Sequence, residues 1–218
     1  MADLRRRLSQ PSAFRGTERS PSEESNPKGV RRRQFVEAAL RVFIRKGYRN
    51  AGILDIANEV GVSSGLFYSY FADKRAVFME AVDEAFRRIQ EQTAAALAGE
   101  RSFFRRMMYR SEVFHENYLR HAEIFYQLRA EAASEEEWPR EKIREIYRKL
   151  TEPVVEEIGE AIGRGEIRAV DADLLAWALT GIMEVMCVRL ALFKEHDLNR
   201  VMLFMHDLLS KGLRRQEG

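Results

Sequence analysis

Apolar residues at helical spacing along most of the chain, only five prolines in 218 residues, and a helix-turn-helix pattern near residue 60 together predict an all-α protein. The predicted architecture is a disordered basic arm over residues 1–28, a three-helix unit containing the helix-turn-helix over 29–75, and a larger helical domain over 76–218. A content of 45% apolar and 32% charged residues is ordinary for a helical chain with a substantial core. No run approaches the roughly 18 apolar residues of a membrane span, and the N-terminus lacks the apolar stretch of a secretory signal. The single Cys187 excludes an internal disulfide and a Cys-rich zinc site, and fits a reducing, cytoplasmic setting.

The arm holds Pro11, Pro21 and Pro27 among many Ser and Glu and almost no apolar residues, too little to offset the entropy of ordering. Charge is concentrated there. Residues 1–33 carry nine basic and four acidic groups, so the rest of the chain is net negative. Arg5, Arg6 and Arg7, and the cluster Arg31, Arg32 and Arg33 at the edge of the first helix, suit phosphate neutralisation.

The first helix is expected over about Arg31–Lys46, with Phe35, Ala39, Val42 and Phe43 on one face and Gly47 ending it. Ile53 to Phe71 then reads as two short helices meeting at a tight turn. Ile56, Ala57 and Val60 form the apolar stripe of the first, and Ala57 is small enough for a close crossing. Gly61 takes the positive φ, Val62 plugs the corner, and Ser63 caps the second helix, expected over Ser64–Phe71. Winding that helix puts Phe67 and Phe71 inside and Gly65 and Ser69 outside, with Leu66 and Tyr68 on the flanks. The outer side is small and polar enough to enter a groove of a duplex. An amphipathic hairpin that meets no nucleic acid has the same pattern.

From Phe35 to Phe78, and above all in DIANEVGVSSGLFYSYFADKRAVF, the chain resembles the DNA-binding domain of the TetR family of bacterial transcriptional regulators. The resemblance implies a homodimeric, ligand-responsive repressor of a palindromic double-stranded operator. In it Ser64, Gly65, Leu66, Tyr68, Ser69, Tyr70 and Lys74 occupy DNA-contacting positions, beside Ser63 at the helix start. Two departures stand out. Ala51 and Gly52 replace the hydroxyl residues usual before the first helix of the motif, and Ser64 stands where Lys is common.

Asp73 is expected to cap a fourth helix whose apolar stripe, Phe78, Val82, Ala85, Phe86 and Ile89, ends near Gln90. Lys74 is a cation in the first turn, where the helix dipole favours an anion, and a nearby phosphate would explain it. From Arg101 to Arg164 the chain is helical and rich in large flexible apolar groups. Phe104, Met107, Met108, Phe114, His115, Tyr118, Phe125 and Tyr126, with Trp177, are the expected lining of a cavity for a small apolar or amphipathic effector. The same residues suffice to fill a bundle core. Pro139 fits a first helical turn, and Pro153 is expected to kink a helix near Lys149.

Catalysis finds no constellation. Glu112 and His115 have the i, i+3 spacing of half a di-iron site, but no second Glu-x-x-His occurs. The other histidines lack metalloprotease spacing, and neither a phosphate-binding glycine loop nor a nucleophile elbow is present, so no metal and no cofactor is expected.

Asp171 is expected to cap a helix that runs to Phe193, followed by another over Leu198–Leu213. Their apolar faces, Leu174, Ala178, Gly181, Ile182, Val185 and Arg189 on one and Val201, Met202, Met205, Leu208 and Leu209 on the other, predict a four-helix dimer interface. The reading that competes with a ligand-gated regulator is a helical carrier of a lipid-like molecule without specific DNA recognition.

Overall fold

The computed structural model describes residues 26–133, 136–193 and 198–214, leaving out the side chains of 118–120, 191–193, 198 and 199. The expected arm up to residue 25, with Arg5, Arg6 and Arg7, lies outside the described residues. Among the described residues the chain forms eight helices: α1 (Pro27–Lys46), α2 (Ile53–Val60), α3 (Ser64–Phe67), α4 (Lys74–Leu97), α5 (Phe103–Glu131), α6 (Trp138–Gly163), α7 (Ala172–Phe193) and α8 (Leu198–Leu213). Their one β feature is an isolated antiparallel bridge between Ile167 and Arg214.

Helix α1 starts four residues earlier than expected, inside the stretch read as arm. The Asn26 side chain accepts from the Lys28 N–H at 3.0 Å, and Pro27, with no N–H to satisfy, fits the first turn. Other punctuation falls where local chemistry demands it. Gly61 takes φ 79°, ψ 35° and closes α2 with bonds from Gly61 N to Asn58 O and Val62 N to Ala57 O. Asp73 accepts from Ala76 N at 2.7 Å and Asp171 from Leu174 N at 3.0 Å, so both act as caps. Helix α6 runs through Pro153 as a single element.

Two apolar clusters organise the molecule. The first joins Phe35, Ala39, Val42 and Phe43 of α1 to Ile56, Phe67 and Phe71, to Val77, Phe78, Ala81, Val82 and Ala85 of α4, and to Ile124 and Leu128 of α5. The second joins Phe103, Phe104 and Met107 of α5 to Val154 and Ile158 of α6, Ala176 of α7 and Leu213 of α8. The expected boundary between 75 and 76 therefore cuts through a continuous core. Helix α5 is long enough, at about 1.5 Å per residue, to serve both clusters, with Ile124 and Leu128 in the first and Phe103, Phe104 and Met107 in the second.

Candidate functional site

Helices α2 and α3 meet at the Gly61 turn with Ile56, Ala57 and Phe67 fully buried. Phe67 is gripped by edge-on Phe35 at 5.6 Å and by Phe71 at 5.4 Å, an aromatic cluster that fixes the roll of α3 on α1. Helix α3 is shorter than expected. After Phe67 the chain tightens into i, i+3 bonds, Ser69 N to Leu66 O and Tyr70 N to Phe67 O, which carry it to Phe71 as an overwound turn. Ser63 takes the extended backbone of a cap, but its hydroxyl makes no capping bond; the Ser63 carbonyl accepts from Leu66 N instead.

The outward strip is Ser63, Gly65, Tyr68 and Ser69, all exposed, with Tyr68 59% accessible. Ser64 is half-buried, and Leu66 and Tyr70 lean on the core. Gly65 has no positive φ, and a Cβ there would meet only the Ser63 hydroxyl, at 3.9 Å. Nothing inside the chain requires glycine at this position, although glycine in a helix costs roughly 1 kcal/mol relative to alanine. Leu54 on α2, 60% exposed, is a further outward apolar group that sequence reasoning did not single out.

Two residues expected at the DNA, Arg32 and Lys74, make contacts inside the fold. The Arg32 guanidinium donates to the Tyr70 carbonyl and to both oxygens of Glu80, and lies 4.3 Å from the centre of the Phe71 ring. It ties α1, the end of the reading turn and α4 together. The Lys74 ammonium donates to the carbonyls of Tyr48 at 2.8 Å, Ala51 at 3.0 Å and Arg49 at 3.4 Å, and sits 4.7 Å from the centre of the Tyr48 ring. Those carbonyls, rather than a phosphate, explain a cation in this first turn. Burial pushes the Lys74 pKa down, with Glu131 opposing, yet an amine with three acceptors is best satisfied as an ammonium. Arg31 and Arg33 make no ion pair with the described residues.

Between α4, α5, α6, α7 and α8 lies a cavity of about 580 Å³. Of the expected lining, Phe104, Met107, Met108 and Phe114 are there. His115 is buried elsewhere, with its pKa pushed down by burial against the pull of Glu116, and with Glu112 it gathers no third ligating side chain among the described residues. Phe125 borders a separate small cavity, Tyr126 is 69% exposed, and Trp177 stacks outside on Tyr147. The side chain of Tyr118 lies outside the described residues. On α5, which serves two clusters, aromatic spacing alone does not say which one a ring enters.

Sequence reasoning also missed lining residues from every other wall. The α4 stripe continues past Gln90 through Thr93 and Leu97, and α8 contributes Met202, Met205 and Leu209, all of which had been assigned to the dimer face. The polar part of the wall includes Gln90, Ser111, Lys149, Thr180 and His206, and a charged triad, Arg106 and Arg110 on α5 with Glu157 on α6. The i, i+4 arginines were its one visible signal.

On the outside, Leu174, Trp177, Ala178, Gly181 and Val185 of α7 form an exposed stripe, with Leu174 67% and Val185 62% accessible. Ile182 and Val201 are half-buried. On α8 the exposed apolar groups are Leu203, Phe204 and Leu208, a face rotated from the expected one because Met202 and Met205 turn into the cavity. A Cβ at Gly181 would meet nothing within 4 Å.

This arrangement has close parallels. A family model for bacterial regulatory proteins of the tetR family matches residues 35–81, and one for the tetracyclin repressor-like C-terminal domain matches residues 111–203, together more than half of the chain. The chain belongs to the TetR family. Curated relatives include the HTH-type transcriptional regulator BetI of Agrobacterium fabrum, 37% identical over 68 residues, and HbdR of Aromatoleum sp., 48% identical over 52. These matches cover 31% and 23% of this chain, and the chain spans only 33% and 23% of those two relatives.

Solved structures share the whole TetR fold. A TetR regulator from Chloroflexus aurantiacus superposes with a TM-score of 0.75 at 25% identity, covering 87% of this chain and 98% of that one. A transcriptional regulator from Saccharomonospora viridis in complex with choline gives 0.74 at 20% identity, covering 86% and 99%. FadR from Bacillus subtilis in complex with stearoyl-CoA gives 0.70 at 20% identity, covering 83% and 98%. Among the described residues no helix is long and apolar enough to cross a membrane.

Proposed function

We propose that this TetR-family protein is a ligand-responsive, sequence-specific DNA-binding regulator: a homodimeric repressor of a palindromic operator, released when a small apolar or amphipathic effector fills the cavity. The observation that carries this reading is Gly65. An exposed glycine with no internal purpose, flanked by Ser63, Tyr68 and Ser69 on a rigidly clamped turn, suits a surface that another backbone approaches closely. Ser64 and Ser69 face base edges, the half-buried Leu66 meets a thymine methyl at its exposed flank, and Tyr68, Tyr70, Arg31 and Arg33 position phosphates. Arg32 holds the end of the reading turn from behind, and Lys74 holds the loop that leads into α2.

Gly181 supports the dimer in the same way, as an unexplained glycine at the centre of an exposed apolar stripe. Two copies joined through α7 and α8 set the readers about 34 Å apart or somewhat more, so the operator has two half-sites. That structural neighbours hold choline or stearoyl-CoA supports a small-molecule effector here. A lipid carrier has no use for so tightly built a reading turn. Selection of duplexes from a random library, followed by binding across a salt series, tests the proposal. The expected result is an enriched palindrome and a steep salt dependence; a library that stays random refutes it.

A further inference from the structure

The cavity wall carries a charge imbalance that points to the head group of its occupant. Arg106 and Arg110 donate to the same oxygen, Oε1 of Glu157, at 2.5 Å each. Two guanidinium groups thus share one carboxylate, and the triad is left with one excess positive charge. The Glu157 side chain is nine-tenths buried, and its Oε2 and the Arg110 Nε are buried with no hydrogen-bond partner among the described residues. Glu157 is the one carboxylate among the residues that line the cavity, whereas Lys149 adds a further cation to the wall, itself bonded to Glu145. Excess charge held away from water is costly unless paired.

We infer that the effector is a single-chain amphipath with a carboxylate head, bound between Arg106 and Arg110 with its tail among the methionines. This inference rests on the effector reading above and narrows it. A guanidinium pair presents fixed forks of donors that match a carboxylate. The remaining walls are largely apolar, with Gln90, Ser111, Thr180 and His206 as scattered polar groups, and adaptable: Met107, Met108, Met183, Met202 and Met205 repack around a flexible tail at little cost. At ~30 Å³ per non-hydrogen atom, 580 Å³ holds roughly twenty such atoms, the size of a medium to long fatty acid. A cationic head meets the wrong sign. The one carboxylate that lines the cavity, Glu157, already holds two guanidinium groups.

Calorimetric titration of the full-length protein with dodecanoate, dodecan-1-ol and dodecyltrimethylammonium separates the head groups while holding the tail constant. Dodecanoate is expected to bind at least ~10-fold more tightly than the alcohol, the worth of one charge-assisted bond, and the ammonium more weakly than either. Arg110→Met, checked for folding by circular dichroism, is expected to erase the advantage of dodecanoate. Glu157→Gln frees both arginines, so dodecanoate is expected to bind it more tightly and to raise its melting temperature more than that of the wild type. If the alcohol or the ammonium binds as well as dodecanoate, or if Glu157→Gln weakens dodecanoate, the head-group assignment falls and the effector reading stands. If none of the three compounds binds, both fall.

Discussion

Replacing Lys74 by Met tests whether that side chain is a strut or a phosphate contact, because the two roles predict opposite patterns. Met keeps the length and the apolar stem of lysine and removes only the ammonium. The structure gives that group two good bonds, to the carbonyls of Tyr48 and Ala51 at 2.8 and 3.0 Å, and a longer one to Arg49 at 3.4 Å. Bonds from an ionised donor are worth about 1.5–3 kcal/mol each when buried. This ammonium is partly exposed, so ~1 kcal/mol for each of the two good bonds is the better figure, and the Tyr48 ring adds about 0.5–1 kcal/mol.

The expected loss is therefore ~2–3 kcal/mol, equivalent to a fall in melting temperature of roughly 5–10 °C for a chain of this size. It is read by urea or thermal unfolding of the free protein. Operator binding is then measured at a temperature where the variant is folded, across a salt series. A strut predicts reduced stability with the salt slope unchanged. A phosphate contact predicts the reverse, stability within ~0.5 kcal/mol of wild type and a slope reduced by about one. That second pattern would refute the assignment.

Tyr68→Phe removes a hydroxyl from a side chain that is 59% exposed, so operator affinity is expected to fall severalfold on all sequences while stability holds; a gel shift at fixed salt with unchanged affinity would remove the phosphate contact. Gly181→Arg places a bulky charge in the middle of the α7 stripe, and sedimentation is expected to show monomers in place of dimers; a persistent dimer would move the interface elsewhere. Cys187 is buried, and burial together with Glu184 pushes its pKa from 9.0 to about 12. An acid held neutral in the fold contributes evenly below pH 9.0 and loses stability as pH rises from there toward 12, a loss that Cys187→Ala is expected to abolish. The native thiol is likewise expected to resist thiol reagents at neutral pH and to react in urea; rapid labelling of the folded protein would contradict its burial.

Features set by neighbours in sequence were legible before the structure. Gly61, Asp73 and Asp171 act through bonds spanning three to five residues, and the buried stripe of α1 follows from 3.6-residue periodicity alone. The internal partners of Arg32 and Lys74 were not legible because they lie 38 and 26 residues away, and a cation beside a reading helix gives no sign of which carbonyl holds it. Met202 and Met205 were misplaced for a different reason. Helix α8 carries apolar groups toward the cavity and others exposed, so its apolar spacing alone does not say which of them turn inward. Gly65 and Gly181 were legible as glycines, but only packing shows that the chain itself does not require them.

Effector and operator are linked, on this reading, through α4. Its N-terminal turn is tied by Lys74 to the loop before α2, and its second turn, through Glu80, is tied to Arg32 and so to Tyr70 at the end of the reading turn. Its far end enters the cavity wall at Thr93 and Leu97, and just beyond it the carbonyls of Leu97 and Glu100 accept from Arg106, which also holds Glu157. A carboxylate that claims Arg106 competes with those carbonyls and with Glu157, and the rigid 24-residue helix, about 36 Å long, carries the adjustment to the reader. Linkage then requires reciprocity: whatever factor the effector takes from operator affinity, bound operator takes from effector affinity. Dodecanoate affinity measured with and without saturating operator checks this, and equal values would show that the cavity and the reader are occupied independently.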